Sequence, residues 1–368
     1  MAKIDNTWLD AFDVLLQVTV PGRVLLELGC GEGRDTRRLT SCGGEVLAVD
    51  HRFDALRTCR SRAPGALPVR LDIAASLPFP DRRFALVMAN LSLHHFDAST
   101  TRAVMREVRR VLRDDGALVL RVDSARDVNY GATGVPEIEP GVHLVKGYRK
   151  RFFDRDAIVA LASSDDWRLL SLEERLIDRY ERPKHIWQAV LGTGMRKVRA
   201  IRVEAATAED CAAVALVHVL SWQYAYRRQL PAAFLESLSV DDRVTWWARA
   251  IREADPSLLV ARDEDRVVGF VAFGASRDDD AASGTAEIQA IYVSPLHWGC
   301  GAGSALLSVA RERLRASGYR RVTLWVIEGN ECAFRFYARH GFVGDGTPAK
   351  TFEIDGTPLQ ERRLLLRL

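Results

Sequence analysis

An α/β chain of two successive units is what the sequence predicts, the first built on a doubly wound, mainly parallel sheet. Three observations carry that expectation. Apolar strand-like runs alternate with helical patterns through the first half, a glycine-rich turn follows the first run, and the pattern restarts near residue 200. Length agrees, since 368 residues exceed the roughly 250–300 at which single cores stop growing.

Val24–Leu28, Glu45–Val49, Val69–Asp72, Ala85–Ala89 and Ala117–Val122 are short, rich in Val and Leu, and flanked by turn residues, as buried parallel strands are. Helical stretches lie between them at Asp35–Ser41, Asp54–Arg60 and Thr100–Leu112. In the last, Val104, Val108, Val111 and Leu112 make one apolar face. A loop-like stretch rich in Gly and Pro (Gly131–Gly147), a helix near Arg155–Ala162 and a strand over Trp167–Ile177 complete the first unit. Gly192-Thr193-Gly194 and the basic Met195–Arg199 read as a linker, which places the boundary near residue 198 and the units at 1–197 and 198–368. A strand at Ile201–Val203 then precedes a capping box, Thr207 with Asp210. The run Asp278–Asp280 reads as a solvated hairpin loop.

Composition excludes several function classes. The net charge of +3 is the small difference between 52 basic and 49 acidic residues, so no nucleic-acid partner is expected. The six cysteines are scattered without a C-x-x-C pair, which predicts reduced thiols and no metal site. No run reaches the ~18 apolar residues of a membrane span, and MAKIDNTWLDAF is not a signal peptide. A soluble cytoplasmic protein without membrane partners is expected.

Chemistry enters at VLLELGCGEGRDT (Val24–Thr36), a strand running through a glycine turn into a helix. Gly29, Gly31 and Gly33 permit a tight turn and close approach of a ligand. The spacing is G-x-G-x-G, not the G-x-G-x-x-G favoured for pyrophosphate. Glu27 places a carboxylate where a cationic ligand's ammonium group sits, and Asp50, ending the next strand, suits two ribose hydroxyls. E-x-G-C-G-x-G followed by V-x-x-V-D resembles the first two motifs of class I S-adenosylmethionine-dependent methyltransferases. The resemblance spans roughly residues 20–125 and implies a Rossmann-like domain. It also implies that Asp72 and Ile73 hold adenine, with Asn90 following the fourth strand. The run after Asn90, LSLHHF, is unlike the Pro-Pro-aromatic run of DNA or protein amide N-methyltransferases and resembles small-molecule enzymes. Of His94 and His95, one packs under the cofactor; His95 is the candidate to deprotonate or orient the acceptor. Arg121–Gly131, with Asn129 and Tyr130, reads either as an acceptor-binding loop or as a solvated connection.

The second site lies in AEIQAIYVSPLHWGCGAGSALLSVARERL (Ala286–Leu314): an alternating strand, a glycine-rich turn and an amphipathic helix. A turn of this kind at a helix N-terminus receives phosphate oxygens on backbone N–H groups. With VTLWVIEGNECAFRFYARHGF (Val322–Phe342), it resembles the GNAT acetyltransferases over about residues 200–368. Trp298 departs from the family's usual Gln or Arg. The resemblance implies an α+β domain with a mixed, splayed sheet and acetyl-CoA as donor. It further implies that Ile291 and Val293 pair with the pantetheine arm, and that Cys300, Gly301, Gly303 and Ser304 cradle the pyrophosphate. Asn330 then bonds the arm, Tyr337 protonates the departing thiolate, and Glu287 is the general base. Trp222, Tyr224 and Tyr226 read as walls of an acceptor pocket.

Together these readings predict a bifunctional transferase that methylates and N-acetylates a small-molecule or peptide acceptor, in secondary-metabolite tailoring, with a homodimer left open. The rivals are an acetyltransferase whose methyltransferase-like half only binds or dimerises, and a regulatory protein that senses cofactor occupancy.

Overall fold

The computed structural model describes residues 8–163, 166–178, 182–194 and 200–368. The chain divides into two compact units, Met1–Arg196 and Lys197–Leu368. Met195–Arg199 and the boundary near residue 198 lie outside the described residues.

The first unit runs α1 (Asp13–Thr19), β1 (Val24–Leu28), α2 (Arg34–Thr40), β2 (Glu45–Asp50), α3 (Phe53–Arg62), β3 (Leu67–Arg70), β4 (Phe84–Asn90), α4 (Ala98–Val111) and β5 (Leu112–Asp123). It continues through β6 (Glu137–Glu139), β7 (Val142–Val145), β8 (Tyr148–Arg151), α5 (Arg155–Leu161), β9 (Trp167–Ile177) and β10 (Lys184–Thr193). The main sheet has the order β3-β2-β1-β4-β5-β10-β9, with β1 to β5 parallel and the last two strands antiparallel. The order reverses at β1 and β4, the crevice where open α/β sheets bind ligands. Helix α4 starts at Asp97, whose carboxylate accepts from Thr100 N at 2.7 Å. It buries Val104, Met105, Val108 and Val111, each contributing about 1.5–3 kcal/mol.

Several expectations change here. The stretch read as a loop holds a small antiparallel sheet, β6-β7-β8; its short strands are mostly exposed and carry no apolar alternation to announce them. Gly192 and Thr193 are no linker. They end β10, where Gly192 pairs with Ala117 and Arg168, and Thr193 with Trp167. β3 stops at Arg70, so Asp72 sits in the following turn, and Leu112 begins β5 instead of ending α4.

The second unit runs β11 (Arg202–Ala205), α6 (Cys211–Ala225), α7 (Ala232–Glu236), α8 (Val240–Glu253), β12 (Ser257–Asp263), β13 (Arg266–Ala275) and β14 (Thr285–Val293). There follow α9 (Ala302–Ala316), β15 (Arg321–Ile327), α10 (Glu331–Arg339), β16 (Val343–Gly344), β17 (Lys350–Ile354) and β18 (Thr357–Arg367). The capping box is present: Thr207 N donates to Asp210 Oδ2 at 3.0 Å. The sheet order is β11-β12-β13-β14-β15-β18-β16, with β17 against β18. Only β14 and β15 are parallel, and they pair over just Thr285–Glu287 and Arg321–Thr323. Beyond Glu287 the two strands part, which opens a mixed sheet down its middle. One face packs on α9, the other on α6 and α8.

The Asp278 loop does join two antiparallel strands, but it is not simply solvated. Asp278 has a side chain only 5% exposed and bonds Trp325 Nε1 (3.0 Å), Lys350 Nζ (2.9 Å) and Arg363 Nη1 (3.2 Å). Long-range ion pairs hold the hairpin down, and no local sequence pattern reports them.

Candidate active sites

In the first unit the glycine turn sits where β1 meets α2. Gly29 N and Cys30 N donate to Val49 O (2.8 and 2.9 Å), and Gly31 N donates to Asp50 Oδ2 at 2.9 Å. Asp50 Oδ1 accepts from Arg52 N at 2.9 Å. The carboxylate expected to meet ribose hydroxyls therefore also braces the turn. Gly33 begins α2 with φ +76°, and a Cβ there would lie 2.8 Å from Cys59 Cα. Gly33→Ala is expected to cost the first unit about 1–3 kcal/mol, read as a lower thermal midpoint; an unchanged midpoint would show that the turn relaxes freely. At Gly31 an added Cβ would meet nothing within 4 Å, which leaves room above the turn.

Glu27 is buried, and its Oε2 accepts from Thr36 Oγ1 at 2.6 Å. Burial, reinforced by the charge of Asp35, holds its carboxyl well above the usual range. Asp35 is a residue that the sequence reading missed. Its Oδ2 accepts from Asn90 Nδ2 (2.5 Å) and its Oδ1 from Trp8 Nε1 (3.0 Å), so it links β4, α2 and the N-terminal segment. An aspartate in the first turn of a helix looks like ordinary dipole compensation, which hid it.

Asp72 is exposed and turns its Oδ1 to Ala74 N at 2.9 Å, while the Ile73 side chain belongs to the core. His94 is buried, and burial pushes it down to about 3, so it is neutral. His95 is exposed, its ring 4.2 Å from that of His94, and burial of part of the ring lowers its pKa too. Asn129 and Tyr130 bond the segment leading into β10: Asn129 Nδ2 donates to Pro183 O (2.7 Å), and Tyr130 Oη donates to Arg182 O (3.2 Å). Both side chains thus brace the loop that carries them.

In the second unit the first bond inside α9 runs from Ala305 N to Gly301 O. The N–H groups of Ala302, Gly303 and Ser304 consequently have no acceptor within the helix. Gly299 and Gly301, at φ +81° and +93°, shape the turn, and Cys300 is buried beneath it. Ser304 Oγ lies 3.0 Å from His340 Nε2. Trp298 explains its departure from the family pattern by bonding its indole Nε1 to Val293 O at 2.7 Å, and Ser221 Oγ reaches the same carbonyl at 3.2 Å. The Val293 carbonyl is therefore not open to a pantetheine arm as expected. Ile291 pairs with Val271 of β13.

Asn330 caps α10, its Oδ1 accepting from Ala333 N at 3.2 Å. Tyr337 is buried, and burial raises its phenol above the usual range. Glu287 is buried in a clamp by Arg277. Trp222 Nε1 donates to Tyr292 Oη (3.0 Å), and Tyr226 Oη lies 3.5 Å from the same oxygen. Tyr292 is the centre of this aromatic group, stacked on His218 at 5.1 Å, and the sequence reading missed it. Its alternation with Ile291 and Val293, which puts it on the opposite face, was the available signal.

Comparison with known proteins supports both halves. The acetyltransferase (GNAT) family model matches residues 219–342, and a methyltransferase-domain model matches residues 25–116. An uncharacterised N-acetyltransferase, YuaI of Bacillus subtilis (strain 168), is 32% identical over 44% of this chain and 90% of its own length. An uncharacterised methyltransferase, sll0829 of Synechocystis, is 33% identical over 30% of this chain and 51% of its own. A protein named "Probable S-adenosylmethionine-dependent methyltransferase MT3114", of Mycobacterium tuberculosis, is 32% identical over 32% of this chain and 43% of its own. The chain thus spans about half the length of the curated methyltransferases it matches. It carries a methyltransferase domain with a Rossmann-like sheet and, through its second unit, belongs to the acetyltransferase (GNAT) family.

Proposed function

We propose that the chain is a bifunctional cytoplasmic transferase that methylates and N-acetylates a small-molecule or peptide acceptor, a reaction pair suited to tailoring a secondary metabolite. S-adenosylmethionine would supply the methyl group and acetyl-CoA the acetyl group. The observation that carries the first half is a cluster of carboxyl groups in the crevice: Glu27, Asp35 and Asp50 gather there, and among the described residues Glu27's side chain is bonded by a hydroxyl and by no basic group. Such a site suits a cation, and S-adenosylmethionine brings both an ammonium and a sulfonium. Glu27 would take the ammonium, Asp50 the ribose, and the turn at Gly31 would admit the ligand closely. In the second half the open N–H groups at the start of α9 would hold the pyrophosphate. There the parting of β14 from β15 would admit the pantetheine arm.

Two measurements test this. Burial favours the neutral form of Glu27, and a bound cation would favour the ionised one. Binding of S-adenosylmethionine at pH 6 is expected to release protons, seen by calorimetry in buffers of different ionisation enthalpy. Heat that does not depend on the buffer would remove Glu27 from the ammonium's site. Incubation with both donors and a panel of amines should yield acetylated and methylated masses; products carrying only one group would confine activity to one domain.

A further inference from the structure

The carboxylate that the sequence singles out for the acceptor amine is not the one that the fold leaves available. Glu287 accepts from Arg277 N (3.0 Å), Nε (3.0 Å) and Nη2 (2.5 Å), so both of its oxygens already face a guanidinium. An incoming ammonium would meet that positive charge beside it.

A second carboxylate stands on the same side of the parted strands. Glu361 lies on β18 opposite Ile327, the last residue of β15. Residues two apart on a strand share a face, so Glu361 points with Leu359. Leu359 and Ile327 pack in one cluster with Tyr226, alongside Trp222 and Tyr292. Glu361 is half-buried at the border of this aromatic group, and its carboxylate makes no hydrogen bond or ion pair among the described residues. Burial raises its carboxyl above the usual range, with Glu287 and Asp278 adding to the rise against Lys350 and Arg277. Its charge is also felt by the Tyr226 phenol, as is that of Tyr337.

We propose that Glu361 receives the acceptor's ammonium group and takes its proton, and that the acceptor is a primary amine on an apolar or aromatic body. This deepens the acetyl-transfer reading above and rests on it. The aromatic rings give the cation a favourable face and its body an apolar wall. One ammonium proton passes to Glu361 and on to water. The freed nitrogen bonds to the thioester carbonyl carbon and the carbon–sulfur bond breaks. The sulfur leaves with a proton from Tyr337, which is restored by the second proton lost from nitrogen as the amide forms.

The test compares wild type, Glu361→Gln and, as a control, Glu353→Gln, a carboxylate on the exposed side of β17. Acetyl transfer from acetyl-CoA is followed with phenethylamine, tyramine and glutamate, and phenethylamine binding to the CoA complex is measured by calorimetry. Glu361→Gln should lower kcat/KM for the aromatic amines by about 100-fold or more, with the acetyl-CoA KM unchanged and phenethylamine binding lost. The control should match wild type, and glutamate should be the poorest acceptor. Wild-type amine kinetics in Glu361→Gln, or an equal loss of acetyl-CoA affinity, would overturn the proposal. If wild type binds phenethylamine through Glu361 yet transfers no acetyl group, the acetyl-transfer reading fails while the amine site stands.

Discussion

Tyr337→Phe is expected to lower acetyl transfer by about 10²–10⁴ while leaving acetyl-CoA affinity close to that of wild type. The expectation follows from how the ring is held. Tyr337 sits on α10 with its ring 5.5 Å from Phe342 and 5.2 Å from Phe336. Phenylalanine preserves these packing contacts and removes only the hydroxyl. Burial raises the phenol above its usual range, so it keeps its proton at neutral pH, and no described residue bonds its oxygen. A protonated, unengaged donor is what a departing thiolate requires. Acetyl transfer measured by released thiol, with calorimetry on acetyl-CoA, separates the two effects. Wild-type turnover under conditions where chemistry limits the rate would remove Tyr337 from the acid role. A parallel loss of affinity would make it a wall of the donor site instead.

Much of this fold was legible because its signals are local. Val24–Leu28 and Ala85–Ala89 are short, mainly apolar runs bounded by turn residues, and both lie in central strands. The glycine turns were legible for the same reason, since positive φ at Gly29 and Gly301 leaves a residue-type signature. What was not legible depends on partners far along the chain. The last two residues of β10 include a glycine that its neighbours shape: a Cβ at Gly192 would lie 3.2 Å from Leu170 Cδ1. Asp278 looked like loop filler until Trp325, Lys350 and Arg363 arrived from 47 to 85 residues away. Glu361 is hidden in the opposite way. On an alternating strand near the end of the chain it reads as a solvent-facing charge, and only the parting of β14 and β15 gives it a role.

Asp123→Ala should destabilise the first unit by about 3–5 kcal/mol. Asp123 ends β5 and is fully buried. Lys150 Nζ of β8 lies 2.6 Å from its Oδ2, and Lys184 Nζ of β10 pairs with its Oδ1. Two of the chain's six lysines thus converge on one carboxylate, joining the small sheet and the antiparallel edge to the parallel core. Burial alone would raise this carboxyl; His94, Lys184 and Lys150 outweigh it and hold it below the usual range. Since burial keeps His94 neutral, the lysines carry that effect at neutral pH. A carboxyl depressed in the folded state contributes stability that is present above its unfolded pKa and lost as pH falls through its folded one. His94 behaves alike: neutral when folded and ordinary when unfolded, it withdraws stability as pH falls below about 6.5. Urea unfolding followed by tryptophan fluorescence should show the Asp123→Ala midpoint falling at pH 7, with a smaller difference from wild type at pH 3. The loss comes chiefly from removing the carboxylate that faces both ammonium groups while the ammonium groups stay in place, not from losing a favourable pair. Replacing all three together, Asp123→Leu with Lys150→Met and Lys184→Met, should therefore recover most of the midpoint. A triple variant no more stable than Asp123→Ala would show instead that the ion triad is needed to fix β8 and β10 in place.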